Sequence, residues 1–126
     1  MLTNAPVHAT IPVLDLKRAL TFYTDRLGLK VVDPQIEGGA TLEAGGGSKM
    51  ELYQRRSINA DHTLASFRVD DIETAVNELK ANGVEFEEYD EPGFKTVNSI
   101  AKTSDHSRCA WFKDSEGNFI GLTKVD

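Results

Sequence analysis

Histidine, cysteine and runs of positive charge are what this chain has least of. It carries three histidines and one cysteine in 126 residues. A lone Cys109 cannot close an internal disulfide, which points to a reducing cytoplasm. Lys and Arg number 14 against 20 Asp and Glu, a net charge of −6, and the basic residues form no run, which argues against nucleic acid as a partner. Apolar stretches are only a few residues long, so no membrane span is expected. No charged segment followed by an apolar one opens the sequence, so no secretory signal is expected either. What is present is a 40% hydrophobic share, enough for a core, in a length that suits one domain spanning 1–126.

The chain repeats itself. His8–Leu20 aligns with Leu64–Val76 at an offset of 56, matching Ala9 to Ala65, Thr10 to Ser66, Val13 to Val69 and Asp15 to Asp71. Gly28 matches Gly83 at an offset of 55, and Gly47–Leu52 matches Gly117–Leu122 at 70, so the second copy carries 15 extra residues. The result is a first module of about 6–54, a linker at 55–61 and a second module of about 62–125.

Each module reads as a strand, a helix and three strands. Val7, Ala9, Ile11 and Val13 alternate with His8, Thr10 and Pro12, as Ala65, Phe67 and Val69 alternate with Leu64, Ser66 and Arg68. Asp15 and Asp71 stand where helix N-caps belong. Leu16, Ala19, Leu20, Tyr23 and Leu27 form one helical stripe, repeated by Ile72, Ala75, Val76 and Leu79. Gly28 and Asn82-Gly83 stop the helices. Strands are expected at Leu29–Asp33, Ala40–Ala44 and Lys49–Tyr53, then at Val84–Tyr89, Arg108–Lys113 and Asn118–Lys124. Gly45-Gly46-Gly47 and Asp114–Asn118 supply the turns; no Lys-Ser/Thr and helix follow the triple glycine, which argues against a phosphate loop.

The segments Val7-His8 to Leu16, Phe22-Tyr23, Leu27-Gly28-Leu29, Phe67–Ile72, Gly83-Val84 and Trp111–Asn118 resemble the vicinal-oxygen-chelate superfamily of glyoxalase I, extradiol dioxygenases, fosfomycin-resistance enzymes and bleomycin-resistance proteins. The resemblance implies an α+β fold of two βαβββ modules forming an eight-stranded cup with the helices outside. His8, Thr10 and Pro12, with Leu64, Ser66 and Arg68, would then line the cup. It also implies four metal-ligand positions, which fall here on His8, Glu51, Leu64 and Gly121.

A divalent ion needs nitrogen or oxygen donors, and only His8 and Glu51 offer them, both from the first module. This is a metal-ligand-depleted member of the family it resembles. His62 is a weak substitute: two residues from Leu64, it stands roughly 6–7 Å away along the strand. As a metal-free alternative, His8 and Glu51 would form a polar pair that hydrogen-bonds a ligand or serves as acid and base. Tyr53 and Trp111 are stacking candidates, although only one of Trp111 and Phe112 can face the cup. Asp90–Ser107 reads as a loop over the cup carrying Phe94, and His106 reads as loop with no role.

The ligand-binding candidates are therefore His8, Thr10, Glu51, Tyr53, Leu64, Ser66, Phe94 and Trp111. The expected function is small-molecule binding of the bleomycin-resistance type, without cofactor, by a homodimer that sequesters a bulky compound. The acidic balance suits a cationic one. The alternative is a metal-dependent lyase, isomerase or dioxygenase using His8 and Glu51, with His62 as a further ligand. A structural or regulatory module with its cup filled by Tyr53 and Trp111 is a third reading.

Overall fold

The computed structural model describes residues 1–33 and 38–126. The chain divides into two compact units, Met1–Ile58 and Asn59–Asp126. The division falls inside the expected linker.

The first unit runs β1 (Ala9–Val13), α1 (Leu16–Thr21), a π-helical turn (Phe22–Arg26), β2 (Lys30–Asp33), β3 (Gly39–Glu43) and β4 (Lys49–Gln54). Its strands form one sheet in the order β1-β4-β3-β2, with β1 and β4 parallel and the other pairs antiparallel. The Asp15 carboxylate accepts the Arg18 N–H at 3.0 Å and starts α1 as a cap should. The winding then widens: Leu27 N–H reaches Phe22 O at 3.3 Å rather than a carbonyl four residues back. Thr21 and Thr24 hydroxyls donate to Lys17 O (3.1 Å) and Leu20 O (2.7 Å), back-bonding that bends a helix. The helical stripe therefore continues past α1, and Tyr23 is fully buried with Ile11, Val13, Ala19, Leu42 and Leu52.

The second unit runs β5 (Thr63–Arg68), α2 (Ile72–Ala81), β6 (Asp90–Glu91), β7 (Phe94–Val97), β8 (Ile100–Ser104), β9 (Ser107–Lys113) and β10 (Phe119–Val125). These strands form a sheet in the order β5-β10-β9-β8-β7-β6, with β5 and β10 parallel. Asp71 caps α2 by accepting the Thr74 N–H (3.1 Å) and hydroxyl (2.8 Å). Those two bonds hold its carboxyl below the usual carboxylate range. Gly83, at φ +86°, ends the helix in the left-handed conformation glycine adopts cheaply. Helix α2 packs on β9 and β10, and Ile72, Val76, Ala110, Phe112, Ile120 and Leu122 form the core there.

The α+β class and both strand–helix–strand modules stand as expected, with three corrections. Among the described residues there are ten strands, not eight, held in two separate hydrogen-bonded sheets. The expected strand Val84–Tyr89 meets β9 only through the Phe86–Phe112 bridge and the Glu87 N–H donated to Trp111 O (2.8 Å), while β8 takes the Ser107–Cys109 stretch of β9. Asp90–Ser107 is not a loop but mostly hairpin, folding at Pro92-Gly93 and at Asn98-Ser99 to widen the sheet.

The Asn98-Ser99 turn sits in left-handed backbone space, at φ 49° and 68°, with no glycine to relieve it. Glu88 holds it. Its carboxylate accepts the Ser99 hydroxyl (2.6 Å), the Ser99 N–H (3.1 Å) and the Thr96 hydroxyl (2.7 Å). The Ser99 and Thr96 hydroxyls, in that order, set the Glu88 carboxyl below its ordinary value.

Candidate ligand-binding site

In a sheet, residues paired across strands share a face. In the first unit Ile11, Leu52 and Ala40 form one such row on the core side, and Thr10, Glu51 and Thr41 form the next row on the opposite side. Pro12, Tyr53 and Gly39 continue that opposite face. Below them Lys49 and Glu43 are paired and joined by an ion pair of 3.3 Å. Thr41 is buried and Glu51 half-buried, while Thr10 and Tyr53 are exposed, with the Arg55 guanidinium 5.9 Å from the Tyr53 ring centroid.

His8 precedes β1 and is exposed. The parallel register sets Glu51 level with Thr10, so His8 lies two residues, roughly 7 Å, further along. Among the described residues no hydrogen bond or ion pair joins His8 to Glu51. His62 is exposed and faces its neighbour Asp61 at 3.3 Å. His106 occupies the β8–β9 turn, where its carbonyl accepts the Asp126 N–H at 2.7 Å.

In the second unit the matching row is Ser66, Gly121 and Trp111. The β5–β10 register slips here: Phe119 pairs with Thr63 but Ile120 with Ala65, leaving Leu64 as the extra residue of a bulge. A Cβ built on Gly121 would sit 2.7 Å from Ser66 Oγ and 3.6 Å from Thr63 Cγ2. Thr63 and Ser66 therefore flank Gly121, and the Ser66 hydroxyl occupies the space a side chain at 121 would need. Nothing in the sequence pattern announces the bulge.

Trp111 and Phe112 separate as strand alternation requires. Phe112 is fully buried on the α2 side, edge-on to Phe86 at 5.4 Å, and Trp111 takes the other face. There it meets Phe94 at 5.6 Å and Tyr89 at 6.0 Å between ring centroids, and Tyr89 and Phe94 are 5.2 Å apart. All three rings are half-buried. Two of them, Phe94 and Trp111, are among the sequence candidates. Tyr89 was missed, although an aromatic five residues before Phe94 across a Pro-Gly turn is a signal of hairpin pairing. Burial, then the charges of Glu87 and Glu91, push the Tyr89 phenol above its usual value, so it stays protonated.

The four positions that a metal would use give no complete donor set. Leu64 lies in the bulge without a donor, Gly121 has no donor and any side chain there would first have to displace the Ser66 hydroxyl, and His8 stands apart from Glu51. Among the described residues no three His, Cys, Asp or Glu side chains converge as a metal site would require. The residues present do not fit the family's four-ligand centre.

A family model for the Glyoxalase/Bleomycin resistance protein/Dioxygenase superfamily matches residues 5–122, nearly the whole chain. The chain belongs to that superfamily. Solved structures with this fold include TnmS3, an antibiotic binding protein from Streptomyces sp. CB03234, at 24% identity and TM-score 0.69 over 100% of this chain and 99% of that one. A glyoxalase/bleomycin resistance protein/dioxygenase from Nocardioides superimposes at TM-score 0.66 and 20% identity, covering 98% of this chain and 85% of that one. The fosfomycin resistance protein FosX from Listeria monocytogenes gives TM-score 0.68 and 15% identity over 98% and 92% of the two chains. No curated protein matches the chain significantly. Superfamily membership accounts for the repeated module, and the donor positions mark where this member departs from the metal-binding pattern.

Proposed function

We propose that this protein binds and sequesters a flat small molecule without a resident metal and without catalysing a reaction, as a cytoplasmic homodimer. The observation that carries this reading is the Ser66–Gly121–Trp111 row: the place for a metal donor is empty of side chain, and an aromatic platform stands beside it. Trp111, Phe94 and Tyr89 offer stacking faces, with Ser66 as a hydrogen-bonding group on the same row. In the first unit Thr10, Thr41, Glu51 and Tyr53 give a second polar set, and the Glu51 carboxylate favours a cationic partner. An antibiotic is the occupant that TnmS3 suggests. The register supports binding over the acid–base reading, since His8 and Glu51 are set two residues apart. Dimerisation and cytoplasmic residence rest on the family likeness and on the free Cys109.

Trp111 is the only tryptophan, so its fluorescence reports directly on the platform. Titration with a flat cation such as acridine orange is expected to quench it saturably, with Phe94→Ala weakening binding about tenfold, the scale of one lost aromatic stack. Unchanged affinity in Phe94→Ala and Tyr89→Ala would contradict the platform. Turnover of a carbonyl or glutathione-conjugate substrate that Glu51→Ala abolishes would establish the enzymatic reading instead. Sedimentation equilibrium tests the dimer.

A further inference from the structure

The insertion that supplies Phe94 also builds a concavity on the opposite face of the same sheet. Lys95 and Val97 of β7, Ile100 and Lys102 of β8 and Arg108 of β9 share the side on which α2 packs, as their register requires. Phe94 and Trp111 lie on the other side. Helix α2 covers β9 and β10, and β7 and β8 run on beyond it. The result is a pocket of about 410 Å³ lined by these five residues with Asn98 and Glu73.

Its construction is deliberate in two respects. The hairpin tip is tied to α2, because Lys80 Nζ donates to Asn98 Oδ1 (3.0 Å) and Asn98 Nδ2 donates to Asn77 Oδ1 (3.3 Å). Glu88 fixes the same turn from the other flank. The floor is apolar: Val97 is 73% exposed, an unusual position for a valine on an ordered strand, and Ile100 lies beside it. The rim carries three cations in a chain of net charge −6. Two of them are answered, Arg108 by Glu73 at 2.8 Å and Lys102 loosely by Asp105 at 3.8 Å. Among the described residues Lys95 has no ion-pair partner.

We infer that this pocket is a binding site for a small amphipathic organic anion, one or two rings or a short hydrocarbon chain bearing a carboxylate, sulfonate or phosphate. The apolar part covers Val97 and Ile100, and the anionic group meets Lys95 and Lys102. The volume lies at the lower end of small-molecule sites, which run from about 300 to 1,000 Å³. Among the described residues the first module has no counterpart of the hairpin that builds it.

Isothermal titration of the full chain with 1-octanesulfonate, 1-octanol and octylammonium, none of which carries a ring to stack on the aromatic platform, tests the inference. The sulfonate is expected to bind saturably, at least tenfold more tightly than the alcohol, with no saturable binding of the ammonium. Lys95→Glu with Lys102→Glu is expected to weaken the sulfonate at least tenfold, Val97→Ser severalfold, and Trp111→Ala less than twofold. Lys95→Met with Lys102→Met, which removes charge without reversing it, serves if the double reversal lowers folding by circular dichroism. No saturable binding of the sulfonate, equal binding of the alcohol, or loss of binding in Trp111→Ala with the lysine variants unaffected would each overturn the site.

Discussion

The two modules share a plan and differ at the same register positions. Thr10 faces Glu51 across β1 and β4, and Ser66 faces Gly121 across β5 and β10. These pairs correspond to each other through the sequence repeat. One module keeps a carboxylate at that position; the other has no side chain and covers the gap with a hydroxyl. The first ends its sheet at β2, and the second extends its own by a hairpin that brings an aromatic cluster to one face and a cation-rimmed pocket to the other. Duplication thus preserves caps and core rows, which hold the fold, and leaves the exposed face of each sheet free to diverge.

The strongest way to break this comparison is to attack the shared core row. Phe112→Ala removes a fully buried ring and is expected to cost about 3–5 kcal/mol in urea unfolding. A loss below about 1 kcal/mol would mean that the second sheet does not rely on the α2 face.

The turn that only the second module possesses gives the next effect. Glu88→Ala strands the buried Ser99 N–H and hydroxyl and is expected to cost about 1–3 kcal/mol. The pH dependence has a definite sign. Glu88 and Asp71 have folded pKa values below their unfolded ones, so their stabilisation is present above the unfolded carboxyl range, near 4.5 and 3.8, and is lost as pH falls through the lower folded values. The urea midpoint should fall on acidification below pH 4.5, and less steeply in Glu88→Gln.

Smaller still is the coupling between Ser66 and Gly121. Alanine is preferred to glycine in a strand interior by roughly 0.5–1 kcal/mol, but here its Cβ meets Ser66 Oγ. Gly121→Ala should therefore stabilise in a Ser66→Ala background and not in the wild type, a cycle coupling of about 1 kcal/mol. Additive effects would remove Ser66 from the account of position 121. Asp15→Ala, which deletes the α1 cap, is expected to cost about 0.5–1 kcal/mol in the same assay.

Much of this was legible in the sequence because it follows from local periodicity. Alternation at Ala9–Val13 placed the core face, Asp15 and Asp71 marked the helix starts, and the repeat offsets aligned Thr10–Glu51 with Ser66–Gly121 before any register was known. What was not legible depends on which strands compete for an edge. Val84–Tyr89 has strand composition, yet it meets β9 only at Trp111 and Phe112, while β8 takes the Ser107–Cys109 stretch. The Asn98-Ser99 turn lacks glycine and became readable only with Glu88 beside it. The site divides in the same way: Trp111 and Phe94 were visible as aromatics in a strand and in an inserted segment read as a loop, whereas Tyr89 and Thr63 join them through the hairpin and the Leu64 bulge, which are products of pairing across the sheet.

The central proposal is that the chain works without a resident metal, Leu64 and Gly121 offering no donor side chain. Elemental analysis of the full chain purified without chelator, repeated after incubation with Zn, Ni, Mn or Fe and desalting, tests it most directly. The account predicts substoichiometric metal that Glu51→Ala leaves unchanged. One equivalent of metal per chain, lost in Glu51→Ala or His8→Ala, would contradict it.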